Sequence, residues 1–148
     1  MEKQLLTKEL VMFHLKAETK EDVIQAIAEA MEQDGRLENK EGYIADVLKR
    51  EASSSTAVGF DTATPHAKSE YVKEPSLAFV RLAHPISWDG KEEVSMVFQI
   101  GVPAVGHGDR HLEILASLFR QLVHDDFREK LLAAENESEI VEIMKSFQ

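Results

Sequence analysis

The 148-residue chain contains no cysteine. Disulfides, thiolate metal sites and a cysteine nucleophile are therefore excluded, and any covalent chemistry falls to histidine, carboxylate or hydroxyl groups. Positive charge is scarce: 17 Lys and Arg stand against 27 Asp and Glu, a formal net charge of −10. Such a balance repels nucleic acid and anionic lipid and suits a basic protein partner. Long apolar runs are missing too. No stretch approaches the roughly 18 to 20 residues of a spanning helix. The start MEKQLLTKEL lacks the basic and apolar regions of a signal peptide, so a cytoplasmic location is expected. No internal repeat, low-complexity tract or Gly/Ser-rich linker divides the sequence, and one domain over 1–148 is expected.

Hydrophobic residues make up 43% of the chain, enough for one core. Residues 10–15 read as a short strand. In ETKEDVIQAIAEAMEQDG, Thr19 and Asp22 have capping-box spacing, Val23, Ile27, Ala30 and Met31 share a face, and Gly35 ends the helix. Tyr43, Ile44, Val47 and Leu48 predict a second helix over 40–51, broken by the polar run SSST. SLAFVRLA (76–83) and VSMVFQIGV (94–102) read as two buried central strands, connected through His84, Pro85 and Asp89-Gly90. After PAVGHGD, Leu112, Leu115, Phe119, Leu122 and Val123 mark a helix that Asp109 can cap, and 125–134 and 136–147 give two more. The expected fold is an α/β layered single domain, a mixed sheet flanked by helices.

Six histidines carry the remaining chemistry. His14 (in a strand), His84 (in a turn) and His124 (at a helix end) read as structural. His66 differs because Pro65 stiffens the backbone before it and biases Thr64 toward an extended conformation, so that a strand over 60–64 would present His66 on an exposed segment at the sheet edge. His111 opens a helix whose first N–H groups attract anions. Arg50 offers a planar guanidinium suited to phosphate. Thr56 and the neighbouring serines offer hydroxyl donors, and read equally well as loop and capping residues. His107 and His111 have the separation of two zinc ligands on one helix, with His66 as a third, which would suit a metal-dependent hydrolase. The glycines at 106 and 108 make that segment a turn, however, and no HExxH signature is present, so no metal or other cofactor is expected.

Taken in order, KRE (49–51), SST (54–56), the G-x-D-x-A-x-P-H segment ending at His66, PISW (85–88) and HLEILASLFRQL from His111 resemble the mannitol/fructose-type IIA domains of the bacterial phosphoenolpyruvate-dependent sugar phosphotransferase system. The resemblance covers nearly the whole chain. Asp61, Thr64 and Ala67 depart from the usual GIGxGIAIPHG, and HAKSEYVKEP leans toward fructose-type members.

The resemblance implies that His66 accepts a phosphoryl group on Nε2 from the histidine-containing phosphocarrier protein and passes it to a cysteine of a IIB component. It matches His111 to the family's supporting histidine and Arg50 to its arginine before the glutamate. Because the chain has no cysteine, the acceptor is expected on a separate polypeptide, and contact with the membrane component IIC only through IIB. A regulatory module of the same fold, whose phosphorylation state controls a target protein, is the alternative.

Overall fold

The computed structural model describes residues 3–147. Strand β1 (Val11–Leu15) is followed by helices α1 (Lys20–Gln33) and α2 (Lys40–Ser53). Three short strands come next: β2 (Ala57–Gly59), β3 (Thr62–Ala63) and β4 (His66–Ser69). The long strands β5 (Ser76–Ser87) and β6 (Glu93–Pro103) precede helices α3 (Arg110–Leu122), α4 (Asp125–Ala133) and α5 (Glu137–Ile143). The strand order is β1-β5-β6-β3-β2, with β4 also paired to β6. β5 and β6 are antiparallel at the centre, while β1 on one side and β3 and β4 on the other run parallel to their neighbours. The sheet is thus mixed, as expected.

Alternation along β5 and β6 divides the core into two. Leu77, Phe79, Met96, Phe98, Ile100 and Val102 pack with the apolar faces of α3, α4 and α5. Ala78, Val80, Leu82 and Val97 point the other way, onto Val23, Ile27 and Met31 of α1 and Tyr43 and Val47 of α2. Burial on both faces explains why these strands read as continuous apolar runs. The helices begin where local chemistry says they should. Thr19 and Asp22 complete a reciprocal capping box on α1, with both bonds at 3.2 Å, and Asn39 Oδ1 accepts the Gly42 N–H at 2.9 Å at the start of α2. No helix among the described residues is long and apolar enough to cross a membrane.

The structure corrects three local expectations. Residues 60–64 are not one strand: Phe60 and Asp61, both at positive φ (55° and 56°), form the two-residue turn of a β2–β3 hairpin. His84 and Pro85 lie within β5 rather than in a connection, at a register shift between Arg81 and Ile86 that spares proline a ladder hydrogen bond. Asp109 precedes α3 without a side-chain cap; its carbonyl accepts the N–H groups of Leu112 and Glu113 instead.

Candidate active site

His66 opens β4, directly opposite Ile100 of β6. Because side chains alternate along a strand, Ala67 joins the core under α1 and α2, while His66 and Lys68 face α3. There the His66 and His111 rings approach to 6.2 Å between centroids, tilted by 32°. Lys68 Nζ donates to the Gly108 carbonyl at 2.9 Å, tying β4 to the loop that leads into α3. Arg50, at the end of α2, reaches the same space, and a cleft of about 760 Å³ brings together Arg50, Thr56, His66, Lys68 and His111. All four residues singled out from the sequence therefore line one cleft. His107 lines a different one, with Lys73 and Arg110.

His66 is not on an exposed segment as expected; it is only 8% exposed, since β4 is seated on β6. Its Nδ1 lies 3.0 Å from the Thr64 carbonyl oxygen. A carbonyl can only accept, so Nδ1 carries the proton and Nε2 keeps its lone pair. Burial holds the His66 pKa below the ordinary value. The Thr64 carbonyl opposes this, the Arg50 and His111 charges add to it, and Glu51 works against it. Burial likewise lowers the pKa of His111, aided by Lys68 and opposed by Asp109. The His111 Nδ1 is buried without a hydrogen-bond partner among the described residues.

Arg50 Nη1 donates to Ser53 Oγ, the Ser54 carbonyl and Ser54 Oγ at 3.2, 3.0 and 3.3 Å, closing the C-terminus of its own helix. Thr56 borders the cleft, yet its two donors are engaged: the N–H and the hydroxyl donate to Glu51 at 2.7 and 2.6 Å. Glu51, 4% exposed, also accepts the Trp88 indole N–H at 3.1 Å. From Thr56 the bonding continues, because its carbonyl accepts the Thr64 N–H at 2.9 Å and the Thr64 hydroxyl at 3.4 Å. Glu51, Thr64, Trp88 and Lys68 were not among the residues expected from the sequence. The KRE and PISW segments held Glu51 and Trp88, but nothing in either segment tells that the two side chains meet.

Residues 4–147 match the model of the family described as phosphoenolpyruvate-dependent sugar phosphotransferase system, EIIA 2. The chain is 36% identical over 138 residues to the fructose-specific EIIA component of Haloferax volcanii, covering 92% of this chain and 89% of that protein. It is 32% identical over 143 residues to the fructose-specific EIIABC component of Bacillus subtilis, of whose length it spans only 22%. Among solved structures it is similar to nitrogen regulatory protein IIA-Ntr from Neisseria meningitidis, with a TM-score of 0.84, 25% identity and coverage of 95% of this chain and 96% of that one. The Escherichia coli complex of enzyme IIA and phosphorylated enzyme IIB for mannitol shares the fold, with a TM-score of 0.79, 21% identity and coverage of 96% and 99%. The chain accordingly belongs to the type 2 EIIA family of the phosphoenolpyruvate-dependent sugar phosphotransferase system, as a sugar phosphotransferase component.

Proposed function

We propose that His66 is the phosphoryl acceptor, taking the group on Nε2 from the histidine-containing phosphocarrier protein and passing it to a cysteine of a IIB component, a residue type this chain lacks. One observation carries the reading: the Thr64 carbonyl occupies Nδ1–H and leaves the Nε2 lone pair free on the wall of a cleft that also holds Arg50 and His111. In the uptake step that lone pair attacks phosphorus in line, the new N–P bond forms as the donor's N–P bond breaks, and the donor nitrogen recovers its electron pair. The IIB thiolate then attacks the same phosphorus and His66 regains its lone pair. No proton need leave Nε2 in either step. Arg50 and the α3 end bearing His111 supply positive potential for the equatorial oxygens. Thr56, its donors held by Glu51, orders the site rather than bonding the phosphate directly.

The likeness to the Haloferax volcanii protein supports fructose as the sugar. The likeness to a nitrogen regulatory protein favours a second reading, in which the phosphorylation state of His66 controls a target protein. Incubation with phosphoenolpyruvate, enzyme I and the phosphocarrier tests the proposal. Acid-labile phosphate mapped to His66 and chased onto IIB is expected. Phosphate elsewhere, or none, overturns the acceptor assignment, and a phospho-His66 that no IIB discharges favours the regulatory reading.

A further inference from the structure

Three donors converge on the buried Glu51 carboxylate: the Thr56 N–H at 2.7 Å, the Thr56 hydroxyl at 2.6 Å and the Trp88 indole N–H at 3.1 Å. Only a carboxylate has acceptor sites for all three on two oxygens and no hydrogen to turn toward them; a glutamine would offer one acceptor oxygen and set its own N–H groups against donors. The chain of bonds continues from Thr56 O to Thr64 N and Oγ1, and from Thr64 O to His66 Nδ1. Trp88, Glu51, Thr56, Thr64 and His66 are 2, 4, 4, 2 and 8% exposed, so water does not compete for the interior links. The path joins the last turn of α2 and the residue after β5 to the nucleophile proposed above.

We propose that Glu51 is a positioning residue for phosphoryl transfer: by pinning Thr56, it holds the Thr64 carbonyl where it selects the Nδ1–H tautomer of His66 and so keeps Nε2 available. Glu51 touches neither His66 nor the phosphoryl group in this arrangement. It acts through two threonines, and Trp88 completes its solvation in place of water. If Thr56 loosens, the Thr64 carbonyl shifts, and the tautomer that depends on it loses its advantage.

The inference rests on His66 being the acceptor, so its test begins where that reading is not needed. The ring ¹⁵N resonances of His66 in the full, unphosphorylated chain distinguish a pyrrole-like Nδ1 from a pyridine-like one. Wild-type protein is expected to show protonated Nδ1. Glu51→Gln is expected to raise the Nε2–H population and to slow phosphorylation by about tenfold to a hundredfold, the scale of a small misplacement at a reacting centre. Should Glu51→Gln fail to fold, Thr56→Val and Trp88→Phe each remove one donor and leave the carboxylate, and a smaller shift of the same sign is expected in both. Unchanged tautomer populations and rates in the folded variants overturn the positioning role. A wild-type protein that never takes phosphate on His66 overturns the acceptor reading instead, and the tautomer comparison still decides the role of Glu51 in orienting the ring.

Discussion

The His66 and His111 rings lie 6.2 Å apart, one at the start of a strand and the other in the first turn of a helix, so two imidazoles from segments 45 residues apart in sequence share one cleft wall. The pair divides into a ring with a fixed Nδ1 bond and a ring whose Nδ1 is unpartnered among the described residues. The two rings are therefore held differently, although both line the same cleft.

His66→Ala is expected to abolish phosphate uptake and to cost some stability, since burial makes the residue more than a surface attachment point. The Thr64 carbonyl loses its partner, a penalty of about 1 to 3 kcal/mol. Phosphate incorporation and a thermal melt, taken together, check both parts. Retained incorporation would remove His66 from the relay.

His111→Ala is expected to slow transfer without removing the acceptor. Loss of a hydrogen bond to a charged group, about 1.5 to 3 kcal/mol, corresponds to a rate loss of roughly 10- to 150-fold. Quench-flow measurement of both uptake and donation is the check, and equal rates in both steps would reduce His111 to a helix-start residue.

Arg50→Lys is expected to lower the transfer rate while shifting the melting point only slightly. Lysine keeps the charge near the end of α2 but not the planar fork that can hold two phosphate oxygens. It also forfeits some of the guanidinium's bonds to Ser53 and Ser54. A stability loss with an unchanged rate would confine Arg50 to capping its helix.

Acidification is expected to destabilise the fold through His66 and His111. Their pKa values in the folded chain lie below the ordinary 6.5, chiefly through burial. The unfolded chain therefore binds protons first as pH falls through that value. Both histidines contribute fully above it, and the contribution is lost between the unfolded value and the depressed folded one. Urea denaturation on either side of pH 6.5 measures this, with a smaller difference expected in His66→Gln. The same depression keeps the His66 ring neutral below the usual range, so phosphate uptake should hold its rate as pH falls just under neutrality.

Arg36→Ala is expected to destabilise the chain by at least about 1 to 3 kcal/mol, the range for leaving one buried acceptor unsatisfied; Asp34, partly exposed, can take up water. Arg36 is fully buried, bonded to Asp34 at 2.7 Å and to the carbonyls of Gln4, Leu5 and Pro75. Chemical denaturation supplies the figure, and a loss below 1 kcal/mol would show that water satisfies those carbonyls when the guanidinium is gone.

Much of the layout was legible in the sequence because its signals are local. The Thr19 and Asp22 capping box starts α1 as read, and the apolar runs of β5 and β6 mark the sheet centre. The β2–β3 turn escaped notice because Phe60 and Asp61 occupy positive φ, where Asn-Gly would have announced a hairpin. Phe60 has a tertiary contact instead, the Arg128 guanidinium 4.3 Å over its ring. Pro85 read as a break because a bulge that excuses a proline has no sequence mark of its own. Histidine, arginine and threonine are candidates for a phosphate site by residue type, whereas Glu51 looks in sequence like any charged residue near a helix end. Its burial follows from α2 docking beside Trp88, which no spacing encodes.

Arg50 and Glu51 are neighbours in sequence and lie about 100° apart around α2. One lines the cleft and the other points into the interior. The rotational phase of this helix therefore decides whether its last turn offers the cleft a guanidinium or a carboxylate. Deleting one residue between Tyr43, anchored under the sheet, and Arg50 would turn the final turn by that angle and bring a carboxylate toward the place of the guanidinium. The cleft would keep Lys68 from β4 but lose the guanidinium's fork and gain a negative charge beside it. The number of residues between the anchor and the end of α2 is thus under as firm a constraint as their identity, and length variation in this family should be absorbed in the loops on either side of α2, not within it.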